Sequence, residues 1–252
     1  MDPRGKLAVI TGGASGLGAA LAAKLQAEGA RTVVMDVHPP ANAGSQFLAC
    51  DITDAQAVEK ALDGLDGAIG ILANCAGIGG LGLIATPDAP GNAADFRRVL
   101  DVNLMGAMHV TRVVAHRMIG NALDGADGER GIIVNACSIA SFEGQEAMGS
   151  YTASKAALAA LTLVWARDLS RYAIRCVGVA PGFFDTPMTA HLPPDLVEEL
   201  VDGAEFPKRA GRAEEFADAA LFLIRNPYIN AEVLRLDGGA RPPARTRWTA
   251  PA

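Results

Sequence analysis

The sequence has no apolar run long enough to cross a membrane and no excess of basic residues. Its apolar runs fall short of the roughly 18 residues that a membrane-spanning helix needs. The first of the short apolar runs begins at Leu7. The residues before it are too few for the charged and then apolar leader of a signal peptide, so we expect none. The formal net charge is −6, from 22 basic and 28 acidic side chains. We therefore expect neither a membrane protein nor one whose main partner is nucleic acid.

Cysteine is scarce, and its four occurrences lack the spacing of a metal site. Cys50, Cys75, Cys137 and Cys176 all lie in apolar or strand-like runs. Free thiols in a reducing compartment explain this pattern better than disulfides do. We therefore expect a cytoplasmic protein without a metal centre.

The sequence is rich in short apolar runs that alternate with helical patterns over its 252 residues. Short apolar runs are typical of parallel strands that are buried on both faces. Strands are predicted at residues 7–10, 31–36, 46–50, 69–73, 131–137, 174–180 and 232–236. With helices between them, this order predicts an α/β protein with a single-domain Rossmann fold, a doubly wound parallel sheet of about seven strands with helices on both faces.

The segments between the strands predict one long helix, two loops and a tail. The helix covers residues 93–118, and a Gly/Pro-rich loop precedes it at residues 78–92. Residues 183–207 are irregular in pattern and are predicted to form a mobile substrate loop. We assign residues 1–241 to one domain that includes this loop. Residues 242–252 form a C-terminal tail, rich in Pro and Arg, that is predicted to be partly disordered or packed on a neighbouring subunit.

A glycine-rich turn separates the first strand from the first helix, with the sequence TGGASGLG at residues 11–18. Backbone N–H groups in such a turn approach a phosphate closely, and the helix dipole favours negative charge there. Asp36 ends the second strand about 20 residues later, where a carboxylate binds the adenosine ribose. The alternative is an aspartate that starts a turn before Pro39. If Asp36 binds the ribose it favours NAD over NADP, because the 2′-phosphate would meet a like charge.

Tyr151 and Lys155 are four residues apart in an alanine-rich helical pattern, so their side chains share one helix face. The positive charge of Lys155 would favour the phenolate form of Tyr151 and so make it a usable proton donor and acceptor. Taken alone, the pair is more typical of a surface tyrosine and a solvated lysine. The chain also carries Ser138 at the end of a predicted strand, on the same ligand-binding edge as the glycine-rich turn.

Together these motifs resemble the short-chain dehydrogenase/reductase family. The matching stretches are TGGASGLG (11–18), Asp51, NCAG (74–77), Asn103, Ser138, YTASK (151–155) and PG (181–182). The chain is more similar still to the type-2 3-hydroxyacyl-CoA dehydrogenases, also known as type-10 17β-hydroxysteroid dehydrogenases. That likeness lies in DFRRVLDVNLMG (95–106), ASFEGQ (140–145), ARDL (166–169), APGFFDTPM (180–188) and RNPYINAEVLRLDGGAR (225–241). Two features depart from the pattern: Cys75, where many members have asparagine, and a longer tail after Arg241.

The resemblance implies a catalytic role for four residues. Tyr151 would be the general acid and base at the substrate oxygen, and Ser138 would orient that oxygen. Lys155 would favour the phenolate and hold the nicotinamide ribose, and Asn103 would hold a water that passes protons between Lys155 and solvent. Gln145 is predicted to contact the substrate. The structural alternatives are a helix cap for Asn103 and a turn residue for Ser138.

The resemblance also implies NAD as the cofactor, with contacts spread over the loops at one edge of the sheet. The implied contacts are Gly12, Ser15, Gly16, Leu17, Gly18, Asp36, Asp51, Ile52, Asn74, Cys75, Ala76, Gly77, Tyr151, Lys155, Pro181, Gly182, Phe184 and Thr186. Asp51 and Ile52 would meet the adenine. Phe184 and Thr186 would hold the nicotinamide end, although Phe184 also fits ordinary core.

The activity implied is interconversion of 3-hydroxyacyl-CoA and 3-oxoacyl-CoA with short or branched chains, in fatty acid metabolism. Lys208, Arg209 and Arg212 are candidates for CoA phosphates, or else they are solvated or anchor the loop before the next helix. A broad hydroxysteroid or alcohol dehydrogenase with the same mechanism is the first alternative, and a non-catalytic NAD-binding regulator is a distant one. The resemblance further implies a homotetramer.

Overall fold

The computed structural model describes residues 1–41 and 44–246. Within them, seven strands form one sheet in the order β3-β2-β1-β4-β5-β6-β7. The strands are β1 Leu7–Thr11, β2 Arg31–Asp36, β3 Gln46–Ala49, β4 Ile69–Asn74, β5 Gly131–Ala136, β6 Ile174–Pro181 and β7 Val233–Leu236. All pairings are parallel. The predicted α/β fold with a parallel sheet is confirmed.

Helices cover both faces of this sheet. They are α1 Gly16–Ala27, α2 Ala55–Asp63, α3 Ala93–Leu100, α4 Ala107–Ile119, α5 Gly149–Ser170, α6 Pro194–Asp202 and α7 Ala213–Arg225. Side chains of α1 and α7 pack on one face, and side chains of α2, α4 and α5 pack on the other. In the part of the chain that the structure describes, none of these helices has the length and apolar character of a membrane span.

Alternate residues of the central strands supply the two halves of the core, because successive side chains of a strand point to opposite faces. Ile10 packs with Leu21 and Phe216 under α1 and α7. Its neighbour Val9 packs on the opposite face with Met118 of α4. Burying each such side chain contributes roughly 1.5–3 kcal/mol to the free energy of unfolding. This two-faced core fixes the strand ends, and thereby the loops that follow them.

The long helix predicted at residues 93–118 is interrupted. Between α3 and α4, residues Asp101–Gly106 form a turn of π-helix, and Asn103 lies inside it. A helical pattern in the sequence does not lead one to expect such a turn, because π-helix is rare and occurs mostly as single turns inside α-helices. The predicted helical stretch is observed as α3, the π turn and α4 in direct succession, and the π turn itself was not predicted.

The predicted irregular segment at residues 183–207 contains a helix, α6. Pro194 occupies its first turn, where proline is favoured because its missing N–H is not needed. The only buried side chain of α6 is that of Leu196, so most of this helix lies over the surface. The C-terminal tail is described as far as Thr246, and residues 247–252 of the predicted tail lie outside the described part of the chain.

Candidate active site

The carboxyl ends of β1 and β4 lie side by side at the centre of the sheet. From β1 the sheet continues to β2 on one side, and from β4 it continues to β5 on the other. Open parallel sheets bind ligands at such a switch point, beyond the carboxyl ends of the strands. The residues predicted to carry chemistry follow these strand ends.

The glycine-rich turn after β1 is packed directly against the end of β4. Gly12 has φ +65°, and a Cβ at this position would lie 2.6 Å from the Cα of Ala76. The position therefore needs glycine both for its conformation and for the close approach. The turn brings the start of α1, at Gly16, to the switch point, with Ser15 as the residue before the helix. A phosphate is favoured at a helix N-terminus in this setting.

Asp36 ends β2 beside that turn. Its Oδ2 accepts a hydrogen bond from the backbone N–H of Ala14 at 3.1 Å, and its Oδ1 accepts one from His38 N–H at 3.1 Å. The carboxylate is half-buried and thus fixed in position next to the glycine-rich turn. This arrangement fits the predicted contact with ribose hydroxyls.

Asp51 and Ile52 follow β3 at the same edge. The Oδ1 of Asp51 accepts from the N–H and the hydroxyl of Thr53 at 2.9 and 2.8 Å. Ile52 is buried, and its carbonyl lies 3.0 Å from Nδ1 of His109 on α4. Asp51 is exposed, so its carboxylate is accessible to a ligand.

Thr11, which sequence reasoning did not single out, positions the loop after β4. Its hydroxyl oxygen accepts hydrogen bonds from the N–H groups of Cys75 and Ala76 at 3.1 and 3.2 Å. Asn74 is directed into the protein, where its Nδ2 donates to Thr111 and to Asn135 at 2.9 Å each. If Asn74 contacts a cofactor, it therefore does so through its backbone. The signal for Thr11 was its place as the last residue of β1.

Asn103 ties the loop at residues 77–92 to α5. Its Oδ1 accepts from the N–H of Ile78 at 2.7 Å, and its Nδ2 donates to the carbonyl of Ile78 at 2.9 Å and to the hydroxyl of Ser154 at 3.1 Å. The Ser154 hydroxyl in turn donates to the carbonyl of Tyr151 at 2.7 Å. Asn103 is completely buried. The π turn directs its amide towards Ser154 of α5, and π turns are frequent at functional sites.

Ser138, Tyr151 and Lys155 lie together next to this network. The Nζ of Lys155 is 5.9 Å from the centre of the Tyr151 ring and donates to the carbonyl of Ala136 at 2.7 Å. Ser138 follows β5, and its hydroxyl oxygen accepts from the N–H of Ala140 at 3.1 Å, which leaves the hydroxyl hydrogen for a ligand. Both Ser138 and Tyr151 line the cleft described below. The structure thus brings the three predicted catalytic residues together.

The thiols near Lys155 are poor candidates for catalysis. Burial raises the pKa of the Cys75 thiol to about 12 and the pKa of the Cys137 thiol to about 11, although the positive charge of Lys155 opposes both shifts. Both thiols are therefore protonated at neutral pH, and a thiol is a far weaker nucleophile than a thiolate. The described residues also contain no group of three or more His, Cys, Asp or Glu side chains suited to a metal ion.

The segment after β6 approaches the glycine-rich turn from the other side. A Cβ at Gly16 would lie 3.6 Å from the Cβ of Thr186, so Thr186 is next to the start of α1. Phe184 is buried against Gly211 and belongs to the core. The N–H of Gly182 donates to the carbonyl of Leu236 at 2.9 Å. Of the two residues predicted for the nicotinamide end, Thr186 therefore has the more accessible side chain.

A cleft of about 1740 Å³ opens beside Ser138 and Tyr151. Its walls come from the loop at residues 77–84, the segment at residues 138–151, the segment that carries α6, and the described part of the tail. The apolar side chains along it include Leu81, Leu83, Ile84, Phe96, Val99, Phe183, Met188, Leu192, Leu196 and Leu200. Such a cleft suits an apolar substrate with one polar reacting group.

Of the three predicted cations for CoA, the side chains of Lys208 and Arg209 are engaged within the protein. Lys208 Nζ donates to the carbonyl of Asp202 at 2.9 Å, and Arg209 forms a two-pronged pair with Glu215 at 2.8 and 2.6 Å. Arg212 serves as the N-cap of α7, with its N–H donating to Glu215. Only Arg209 of these three lines the cleft.

Arg98 on α3 also lines the cleft, and sequence reasoning missed it. Its side chain is mostly exposed, and its Nε lies 4.0 Å from Asp95, beyond ordinary hydrogen-bonding distance. Gln145, predicted to contact the substrate, also lines the cleft, but its Nε2 donates to the carbonyl of Pro243 at 3.0 Å.

Comparison with known proteins finds relatives along almost the whole chain. A family model described as "short chain dehydrogenase" matches residues 6–196. The human "3-hydroxyacyl-CoA dehydrogenase type-2" is 40% identical, over 94% of this chain and 96% of its own. The sorbitol-6-phosphate 2-dehydrogenase of Klebsiella pneumoniae is 31% identical, over 92% of this chain and 94% of its own.

Among solved structures, the 3-hydroxyacyl-CoA dehydrogenase type-2 of Mycobacterium avium superposes with a TM-score of 0.86 at 34% identity, covering 96% of this chain and 98% of that one. The match of the family model over most of the chain, and relatives named as dehydrogenases along almost its whole length, lead to one conclusion. This chain belongs to the short-chain dehydrogenase family and is an oxidoreductase.

Proposed function

We propose that the protein is an NAD-dependent oxidoreductase that interconverts a secondary alcohol and a ketone, with 3-hydroxyacyl-CoA and 3-oxoacyl-CoA of short or branched chain as the substrate pair. The observation that carries this proposal is the arrangement of Ser138 and Tyr151 along one apolar cleft, with the Nζ of Lys155 5.9 Å from the Tyr151 ring. A proton acceptor, an orienting hydroxyl and a buried cation suit the removal of the hydroxyl proton that accompanies oxidation of an alcohol.

In the proposed reaction Tyr151 takes the proton of the substrate hydroxyl while the carbinol carbon loses a hydride, which leaves a ketone. Bound NAD supplies the hydride acceptor, the nicotinamide ring. Ser138 donates its hydroxyl hydrogen to the substrate oxygen and so orients it. The positive charge of Lys155 favours the phenolate form of Tyr151, which is the form that accepts this proton. Asn103 positions these groups, since its amide joins the 77–92 loop to α5 through Ser154.

NAD rather than NADP is proposed as the cofactor because Asp36 is fixed at the ribose side of the glycine-rich turn. Its two carboxylate oxygens accept hydrogen bonds from Ala14 and His38. The remaining lone pairs suit the two hydroxyls of an adenosine ribose. A 2′-phosphate would meet the carboxylate as a like charge, at a cost of roughly 4 kcal/mol for a 4 Å separation and an effective dielectric of 20.

The acyl-CoA assignment is supported by relatives whose names state that activity and by the apolar cleft. The cations that line the cleft are Arg98 and Arg209, at its surface. Arg209 is already paired with Glu215, so a substrate would insert its acyl end and leave most of the CoA outside. This is the same conclusion that the acidic net charge of −6 favours.

A broad hydroxysteroid or alcohol dehydrogenase with the same mechanism is the second candidate. The volume of the cleft, about 1740 Å³, and its many apolar walls favour it, because a large apolar site discriminates weakly between apolar substrates. A non-catalytic NAD-binding regulator is the distant alternative, and the assembled Ser138, Tyr151 and Lys155 argue against it.

A homotetramer and a cytoplasmic location with a role in fatty acid metabolism stay predictions. The proposed tetramer is supported by apolar side chains on the outward side of α5, where Leu163 and Val164 are exposed to 39% and 45%. Exposed leucine and valine next to each other on a long helix suit burial against a second copy.

The test is the variant Tyr151→Phe, with Tyr172→Phe as its matched control. We expect Tyr151→Phe to lower kcat by about 10²–10⁴-fold, which is the usual contribution of a positioned proton acceptor. Binding of NADH, followed by its fluorescence, should change little. Tyr172 lies after α5, away from the cleft lining, and its variant should keep full activity. If Tyr151→Phe retains turnover comparable to that of Tyr172→Phe, the proposed mechanism is wrong.

A further inference from the structure

The chain turns back over the cleft after its last strand. Beyond β7, the carbonyl of Gly238 accepts hydrogen bonds from the N–H groups of Glu205 and Phe206 at 2.9 and 3.0 Å. These two residues follow α6, so the turn after β7 is joined to the end of the segment that covers the cleft. From there residues 241–246, which we call the C-terminal wall, run towards the turn that follows Ser138.

Four contacts attach the C-terminal wall to that turn. The N–H of Glu146 donates to the carbonyl of Ala244 at 2.9 Å, and Gln145 Nε2 donates to the carbonyl of Pro243 at 3.0 Å. Arg245 Nε lies 2.8 Å from Oε2 of Glu146. The fourth contact is between Arg241 Nε and Oε1 of Glu143, at 3.3 Å. Both a backbone bond and charged pairs therefore hold this segment.

Glu143 is itself fixed from a second side. Arg235 of β7 donates to both of its carboxylate oxygens, at 3.0 and 2.9 Å, and also to Asp237 at 2.7 Å. The Arg235 guanidinium holds the pKa of the Glu143 carboxyl below its usual range. The anchor for the C-terminal wall is thus a charged network that joins β7 to the catalytic turn.

The C-terminal wall lines the same cleft as Ser138 and Tyr151. Pro242, Pro243 and Thr246 all contribute to its surface. Two consecutive prolines have fixed φ angles and no N–H groups. They therefore present a stiff apolar surface to the cleft without exposing unsatisfied donors, and they reduce the conformational freedom that anchoring must overcome.

We propose that residues 241–246 determine substrate specificity by closing one end of the cleft, so that short secondary alcohols are accepted beside Ser138 and Tyr151 and long acyl chains are excluded. The inference rests on the proposed function, because it concerns the same cleft. The hydrogen bonds of Gln145 and Glu146 give these two residues a positioning role: they hold the C-terminal wall in place.

The experiment compares a chain that ends at Arg241 with a chain that ends at Thr246, which keeps every described contact of the C-terminal wall, and with the full chain. The measured quantity is the ratio of kcat/KM for a long substrate to kcat/KM for a short one. One series is 3-hydroxydodecanoyl-CoA against 3-hydroxybutyryl-CoA, and a second is 2-decanol against 2-butanol, all with NAD. Ending the chain at Arg241 should raise this ratio at least about tenfold. About tenfold is the smallest discrimination that an apolar pocket usually shows between substrates that differ by one methylene group.

Two point variants test the attachment without shortening the chain. Glu146→Ala and Arg245→Ala each remove the ion pair and should raise the same ratio about threefold. Arg171→Ala is the matched control, because Arg171 lies at the end of α5 and outside the cleft lining. These variants decide the question if the chain that ends at Arg241 fails to fold.

The inference is overturned if the chain that ends at Arg241 shows the same ratio as the full chain. If that chain does not fold, the inference is overturned when neither Glu146→Ala nor Arg245→Ala changes the ratio. The two series separate this result from a failure of the proposed function. If the full chain oxidises 2-alkanols and no 3-hydroxyacyl-CoA, the acyl-CoA assignment is wrong, and the C-terminal wall is still judged from the 2-alkanol ratio.

Discussion

Lys155 is a buried cation at the centre of the site, only 4% exposed. Burying an ammonium group is costly unless its three N–H groups find partners. The carbonyl of Ala136 accepts one of them at 2.7 Å. On another side a Cβ at Gly77 would lie 3.4 Å from Nζ, so a larger residue there would fill the space next to the ammonium group. We propose that this space receives a ribose hydroxyl of the cofactor, which would complete the partners of Lys155.

At the same scale, Asp36→Asn should shift the cofactor preference towards NADP. The amide keeps an oxygen for the N–H of Ala14 or His38 but removes the charge that would face a 2′-phosphate. We expect the ratio of kcat/KM for NADP to kcat/KM for NAD to rise at least about tenfold. A tenfold change corresponds to only part of the full Coulomb energy, because the carboxylate is only half-buried. Initial rates with both nucleotides measure it.

Asp51→Asn is the control for this prediction. Asp51 also follows a strand at the same edge, but its carboxylate is exposed and bonds to Thr53. Its variant should leave the nucleotide ratio unchanged. An equal shift in both variants would mean that general charge, and not the position of Asp36, sets the preference.

Individual residues were predictable where a motif fixed their chemistry, and less so where packing decides their direction. The order and spacing of Ser138, Tyr151 and Lys155 predicted three residues that do lie together. The direction of Asn74 into the protein was not predictable, because a residue at the end of a strand can point to either face of the sheet. The bond from Gln145 to Pro243 joins positions 98 apart in sequence, and no local pattern reveals such a pair.

At the scale of elements, an ion pair joins the segment that follows α6 to the first turn of α7. Glu215 in the first turn of α7 accepts from Arg209 and from the N–H of Arg212. These partners lower the pKa of Glu215 to about 2, with the Arg209 hydrogen bonds as the largest cause. Since that pKa is below the value of about 4.3 in an unfolded chain, the pair stabilises the fold above about pH 4.3 and loses this effect as the pH falls towards 2.

Glu215→Gln should therefore reduce the dependence of stability on pH in this range. Between pH 5 and pH 3 the free energy of unfolding of the variant should fall by roughly 1 kcal/mol less than that of the unchanged protein. The effect is small because both side chains are more than a third exposed, at 35% and 38%. Urea unfolding at each pH measures it. Glu214→Gln, an exposed acid in the same helical turn, should behave like the unchanged protein; an equal effect there would contradict the role of the pair.

Strands were easier to predict from the sequence than the details of helices. Predicted strand ends agree with the observed ones to within one residue, because buried parallel strands are continuous apolar runs. The π turn at Asp101–Gly106 and the helix α6 were missed. α6 could have been predicted, because Leu196, Val197, Leu200 and Val201 follow Pro193-Pro194 at the spacing of one helix face.

At the scale of the whole molecule, Arg175 of β6 joins several parts of the fold. Its Nε donates to Glu129 at 2.6 Å, and its other nitrogens donate to the carbonyls of Leu223, Ile224 and Ile229 at 2.7–2.9 Å. Two of these carbonyls belong to the last turn of α7. The side chain is 8% exposed, so these partners would be left without water if it were removed.

Arg175→Met should lower the free energy of unfolding by about 3 kcal/mol, the lower end of the range for breaking a buried ion pair. The lower end applies because the amino group of Met1, 3.0 Å from Glu129, keeps part of that charge paired. Urea unfolding measures it. Arg112→Met breaks the exposed pair with Glu59 and should cost no more than about 1 kcal/mol. Equal losses in the two variants would contradict this account of Arg175.

The claim that this protein oxidises a secondary alcohol with NAD is tested by the initial rate of NADH formation. The panel contains 3-hydroxybutyryl-CoA, its 2-methyl analogue, a 17β-hydroxysteroid and a simple 2-alkanol, each with NAD and with NADP. We predict that kcat/KM for one of the CoA thioesters with NAD exceeds that of the steroid and the alkanol by about a hundredfold, and that NADP supports slower turnover. NAD that binds without any secondary alcohol being oxidised would contradict the claim.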